Sequence, residues 1–223
     1  VGALLLLLGG TASVGGEPGV VGELDSGQGS GEELVLTVPP SGVALGSRVV
    51  VGVGTEDEVV TISVTDARGN TYAADALVAN PGLSRAIIFS AHVGTALQAG
   101  DAITIAATGP TDLSAAAVAF TSISEADPVD VTATATGSSN SPSSGTATTT
   151  VANTLLIGAV CGSAGADPTL SAGSGWTGAG SANASQLYLF LEYRTAPAAG
   201  GYVATFGSIF ASDWAAALVA YQG

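Results

Sequence analysis

The chain has 223 residues, with eighteen acids against four bases, a net charge of −14 and only 10% charged residues, where an ordinary soluble domain carries about 25%. The bases are Arg48, Arg68, Arg85 and Arg194, with no lysine. Such a chain offers no basic surface to displace the counterions of a phosphate backbone, which speaks against a nucleic-acid role and against anionic membrane surfaces. A hydrophobic content of 47% at low charge density places the chain among folding sequences, and no window reaches the roughly 18 apolar residues of a membrane helix.

Residues 1–33 differ from the rest. Leu4, Leu5, Leu6, Leu7 and Leu8 form an unbroken apolar strip that Gly9 and Gly10 end at once. It resembles the core of a signal peptide, with Thr11-Ala12-Ser13 as a small-residue cleavage site, except that no basic residue precedes it. The remainder, from Gly9 to Glu33, is dense in Gly, Ser and acids, too poor in apolar surface to offset chain entropy. The stretch reads as an extended arm or linker. Its leucines are the candidate assembly element, an anchor for a groove or a sheet edge of a neighbouring subunit.

From Leu34 the pattern is β: short apolar runs bounded by Gly, Pro, Asn and Asp. Strands are predicted near residues 34–38, 48–53, 59–65, 71–77, 85–92, 101–107 and 115–122. The alternation from Val60 to Val64 suits a half-buried strand. Asp66-Ala-Arg-Gly-Asn70 and Gln98-Ala-Gly-Asp101 read as turns. Beyond a boundary near residues 125–130, strands follow near 132–136, 146–151, 155–161, 169–172, 186–194, 202–206 and 214–222, with the Gly/Ser/Pro stretch at 137–145 as a hairpin tip.

The second set repeats the first. Val49-Val-Val-Gly-Val53 matches Leu155-Leu-Ile-Gly-Ala159, 106 positions on. Ile88-Phe89 matches Leu189-Phe190, Thr104-Ile105 matches Thr205-Phe206, and Ala115-Ala-Ala-Val-Ala-Phe120 matches Ala216-Ala-Leu-Val-Ala-Tyr221, each 101 positions on. Their order and spacing favour an internal duplication. The expected organisation is all-β: an arm at 1–33 and two tandem β-sandwich or jelly-roll-like domains at 34–128 and 129–223.

No motif carries a catalytic reading. His92 is the single histidine, so any Ser-His-Asp or Cys-His scheme would need it, and no Gly-x-Ser-x-Gly elbow occurs. Cys161, the single cysteine, sits in an apolar run and reads as a buried thiol. Gly173-Ser-Gly-Trp-Thr-Gly178 has dinucleotide-loop spacing, but no helix is predicted after it. Glu56-Asp57-Glu58 and the pair Asp127 and Asp130 lack calcium-loop spacing and read as solvated acids. Asn183-Ala-Ser185 is a glycosylation sequon that matters only on a secreted chain. Trp176 and Trp214 are the candidate exposed aromatic contacts. A carbohydrate-binding face would need them coplanar with Tyr188 and Tyr193. No cofactor and no metal are expected.

Several segments resemble β-sandwich proteins encoded by tailed bacteriophages of high-GC hosts and by secreted bacterial surface proteins. They are Val64-Thr-Asp-Ala-Arg-Gly-Asn-Thr-Tyr72, Ala96-Leu-Gln-Ala-Gly-Asp-Ala-Ile-Thr-Ile105, Leu155-Leu-Ile-Gly-Ala-Val160, Gly173-Ser-Gly-Trp-Thr177 and Trp214-Ala-Ala-Ala-Leu-Val-Ala-Tyr221. The resemblance covers roughly residues 34–223 and implies a structural or adhesive role without catalytic residues. With a surface built from Ser, Thr, Gly and Ala, the expectation is a virion structural protein, in capsid decoration or tail association, whose partners are its own copies and other structural subunits. A subunit of a secreted cell-surface filament polymerising by donor-strand exchange is one alternative, and a carbohydrate-binding or adhesion module is the other.

Overall fold

The computed structural model describes residues 16–56, 59–163, 170–184, 187–208 and 212–223. Leu4, Leu5, Leu6, Leu7 and Leu8 lie outside the described residues. The fold is all-β. The first six strands are β1 (Gly19–Thr37), β2 (Arg48–Thr55), β3 (Ile62–Asp66), β4 (Ala73–Asn80), β5 (Ser84–His92) and β6 (Ala102–Thr121). The next eight are β7 (Val129–Ser139), β8 (Ser143–Thr149), β9 (Thr154–Ser163), β10 (Leu170–Ala172), β11 (Thr177–Ala184), β12 (Leu187–Ala196), β13 (Gly200–Ser208) and β14 (Ser212–Tyr221).

Residues 19–33, which composition assigns to the arm, are the first part of β1. They pair with β6 in antiparallel register, from Gly19 opposite Thr121 to Gly31 opposite Thr111, and the pairing resumes from Glu33 opposite Ala106. Both long strands bend, so that each serves two layers. The later part of β6 carries β2, and its earlier part carries β3. Glycine density here marks a folded-over strand. A Cβ on Gly27 would stand 3.2 Å from Leu36, in the half of β1 folded back over it. The Thr37 amide donates to Asp25 Oδ2 at 2.7 Å, closing the bend. Leu34, Leu36, Ile103 and Ile105 thereby face Val49, Val51, Val53, Ile87 and Phe89 across one core.

Strands 7–14 form two sheets, β11-β12-β9-β14-β7 and β10-β13-β8. The first follows the same order as β4-β5-β2-β6-β1, and the second follows β3, the start of β6 and the end of β1. What is one bent strand in the first sandwich is two separate strands in the second. Leu156, Val160, Tyr188, Phe206, Trp214 and Leu218 fill the second core.

A third apolar layer lies between the sandwiches. Val50, Ile88, Val118 and Phe120 meet Leu155, Ile157, Leu189, Leu191, Val219 and Tyr221 there. β2 and β14 are thus buried on both faces along nearly their whole length, which is why they read as continuous apolar runs instead of alternating ones. The sheets approach so closely that a Cβ on Gly52 would fall 2.4 Å from Leu191, and one on Gly54 2.7 Å from Cys161 Sγ.

Register corrects one offset. Phe120 lies opposite Arg48, and Tyr221 lies opposite Leu155. With Phe120 and Tyr221 equivalent, Arg48 corresponds to Leu155, a spacing of 107 in place of 106. The difference is physical, since a one-residue slip would turn every core-facing side chain to the opposite face. At 107, Val49 maps onto Leu156 and Val53 onto Val160, all four facing their own core.

Candidate functional site

The aromatic candidates do not form a surface. Trp214 is only 7% exposed and lies in the second core, its indole N–H donating to Ser139 Oγ at 3.1 Å. Trp176 is half-buried against the same core. Tyr188 is buried there too, sharing a 2.7 Å hydrogen bond with Ser212. Tyr193 points the other way, into the layer between the sandwiches, where its ring meets Phe120 edge-on at 5.6 Å. Strand alternation is the reason: 188 and 193 differ in parity and so face opposite sides of β12. The expectation of an exposed contact is corrected at Trp214, which is buried, while Trp176 stays partly exposed.

The motifs resolve into structural roles. Gly173 to Trp176 forms the turn from β10 to β11, closed by the Trp176 amide donating to the Gly173 carbonyl at 3.0 Å, and Thr177 and Gly178 already pair in β11. Cys161 is fully buried, and burial pushes its thiol up to about 12. His92 ends β5 beside an open depression lined by Asn70, Thr95 and Glu125. Its Nε2 lies 3.8 Å from Glu125, and its Nδ1 is buried without a partner. Asp66 and Asn70 organise the adjoining turn: Asn70 Nδ2 donates to Asp66 at 2.9 Å and its Oδ1 accepts from the Thr95 amide at 2.9 Å. Asp130 is engaged by the amide and hydroxyl of Thr150, at 2.7 and 2.5 Å. Asp57 and Glu58 lie outside the described residues. Among the described residues no group of three His, Cys, Asp or Glu side chains is placed to hold a metal ion, and no helix is long and apolar enough to cross a membrane.

Two buried polar features escape sequence reading. Between the sandwiches, Tyr221 donates its hydroxyl proton to Asp75 Oδ2 at 2.6 Å. Beside them, Arg48 reaches Ser90 Oγ at 3.0 Å and the Ser124 carbonyl at 2.8 Å. Burial raises the Asp75 carboxyl, against the opposing pull of Ser90, Tyr221 and Arg48. This cluster ties β2, β4 and β5 of the first sandwich to β14 of the second. The other feature is Glu192, at 0% exposure in the second core. Its Oε2 accepts from the Gly173 amide at 2.8 Å, and its Oε1 has no partner within hydrogen-bond geometry. Burial pushes this carboxyl up to about 7. The sequence signal was present: one acid inside Leu187-Tyr-Leu-Phe-Leu-Glu-Tyr193.

On β7 and β8 the outward-facing strand residues are small and neutral. Thr132, Thr134, Thr136 and Ser138 on β7, and Thr146 and Thr148 on β8, are exposed. No family model matches the chain, and neither a curated protein nor a solved structure matches it.

Proposed function

We propose that this protein is a non-enzymatic structural subunit that works by self-association, a virion protein of the tailed-phage kind in capsid decoration or tail association. The observation that carries this reading is the neutral Thr, Ser and Ala surface on the edge strands of the second sandwich, in a chain whose net charge is −14. A protein free in solution usually covers itself with mixed charge and guards its sheet edges with lysine. This chain does neither, and at a net charge of −14 neutral patches are where copies approach with least repulsion. Two sandwiches joined by a continuous apolar layer give a block of fixed shape, which suits packing into an array. The carbohydrate-binding reading loses support, because Tyr188 and Trp214 are turned into a core.

Electron microscopy of the purified protein, together with sedimentation across a concentration series, tests the proposal. Closed rings or surface-bound lattices support the virion reading. Linear filaments would transfer the protein to the cell-surface alternative. A single-chain species throughout would overturn both.

A further inference from the structure

We propose that Glu192 is a proton-operated latch: while its carboxyl is neutral it holds residues 170–178 as a strap over the second core, and its ionisation lets that strap lift. The inference goes beyond the self-association reading and stands or falls without it.

The strap bridges two sheets. β10 pairs with β13 in the three-stranded sheet, the turn from Gly173 to Trp176 crosses the gap, and Thr177 pairs with Tyr193 where β11 joins the five-stranded sheet. Its backbone fastening is thin. β10 supplies three residues, and β11 is hydrogen-bonded to β12 alone among the described strands. Leu170 and Trp176 on the strap, with Phe190 beside them, are half-buried against the second core.

Glu192 is the fastening from below. Its Oε2 accepts from the Gly173 amide at 2.8 Å, at the point where the strap leaves β10. Its Oε1 is shut in without a donor. At Gly158, directly opposite on β9, a Cβ would lie 2.7 Å from Ala204 and 3.2 Å from Oε1, so the space between them is too narrow for a water. A charge on this carboxyl would have neither a donor nor solvent on that oxygen. A buried acid escapes such a position by keeping its proton or by reaching water.

No neighbouring charge alters that choice. The titratable groups on the same face are Tyr188 and Arg194 on β12 and Tyr202 on β13. Among the described residues, β7 to β11 and β14 turn none towards it. Burial alone pushes the carboxyl up, to about 7, against the pull of the Gly173 and Thr205 backbone groups.

The duplication supplies an internal control. At the 107 spacing Val51 maps onto Gly158, and Val51 pairs with Phe89 as Gly158 pairs with Glu192. Phe89 therefore corresponds to Glu192, a spacing of 103 on this strand. Val51 and Phe89 both lie in the first core. Packing at this position is met by an apolar pair, and the second sandwich has a carboxyl and a glycine in its place.

Arg194 stands ready for the open state. Its guanidinium lies 5.5 Å from the Tyr202 ring centroid, and a Cβ on Gly175 would be 3.6 Å from its Nη1. It is the single base of residues 129–223 and lies in no ion pair among the described residues. Once the strap lifts, it is the one base of this sandwich available to the ionised carboxylate.

Hydrogen exchange on the full chain and on Glu192→Gln tests the latch, from about pH 4.5 to about pH 8.5, with and without dilute urea and corrected for intrinsic rates. Amides of the strap are compared with those of β9 and β14. In the parent, the strap amides should exchange faster than the core amides at every pH and without response to urea, which marks a local opening. Their protection should fall on the order of a hundredfold as pH rises from 4.5 to about 7, tenfold per unit, and level off above. Glu192→Gln should keep the local opening and lose its pH dependence. Strap amides that exchange only with the core would overturn the strap, although a neutral Glu192 could still lower global stability. Local exchange with no pH dependence, or with the same dependence in Glu192→Gln, would overturn the latch. The parent alone decides the first two outcomes, so a glutamine variant that fails to fold leaves the test standing.

Discussion

Replacing Glu192 by glutamine isolates the most perturbed carboxyl of the second sandwich. The group is buried between β12 and β13, where a Cβ on Gly158 would stand 3.2 Å from its Oε1. Burial moves it from an ordinary value of 4.5 to about 7. Below about pH 4.5 the carboxyl is protonated in both the folded and unfolded chain, and its contribution to stability is fully present. Between about 4.5 and 7 the unfolded chain has released a proton that the folded chain still holds, so stability falls as pH rises, and the loss is complete above 7. A gap of about 2.5 units at roughly 1.36 kcal/mol each amounts to about 3 kcal/mol. Glutamine keeps an oxygen to accept from Gly173 and does not titrate. Urea unfolding of both proteins from about pH 4 to about pH 8 gives a difference curve in which every other carboxylate cancels. That curve should rise in favour of Glu192→Gln by up to about 3 kcal/mol across the window. A difference that does not change with pH would refute the assignment of a buried, neutral carboxyl.

Other expectations follow from packing and hydrogen bonding. Gly158→Val should destabilise by about 1–3 kcal/mol or more, since even its Cβ would meet Ala204 at 2.7 Å; thermal unfolding measures it. Tyr221→Phe removes the 2.6 Å bond to Asp75 and leaves a buried carboxyl short of a donor, at a cost of about 1–3 kcal/mol in chemical denaturation. Cys161 should resist a thiol reagent in native buffer and react at once in denaturant, because the thiolate is both buried and disfavoured. A chain beginning at Glu32 should lose several kcal/mol, since it strips the first half of β1 from β6 and takes Leu24 out of the first core.

The strands were largely legible, for reasons visible residue by residue. Ile62 and Val64 are buried around an exposed Ser63, which is the alternation the sequence displays. The ordered matches between Phe120 and Tyr221, or Ile105 and Phe206, correspond to equivalent strands in two sheets of the same order. Faces were harder to read. A strand such as β2, apolar at nearly every position, does not state which side meets its own core and which meets the other sandwich. That ambiguity concealed the one-residue error at Leu155 and the inward turn of Trp214. Glycine misled at residues 19–33 because the composition of a linker is also that of a strand that folds back on itself. Glu192 and the Asp75–Tyr221 contact depend on partners 19 and 146 residues away, a separation no local pattern encodes.

The central claim is that copies of this chain associate. The most direct measurement is particle mass by light scattering, for the full chain and for the chain beginning at Gly16, over a range of concentration and salt. The full chain should give multiples of the single-chain mass, more readily as salt screens the −14 charge, while the shortened chain stays single. A full chain that remains single at every concentration and salt would contradict the account.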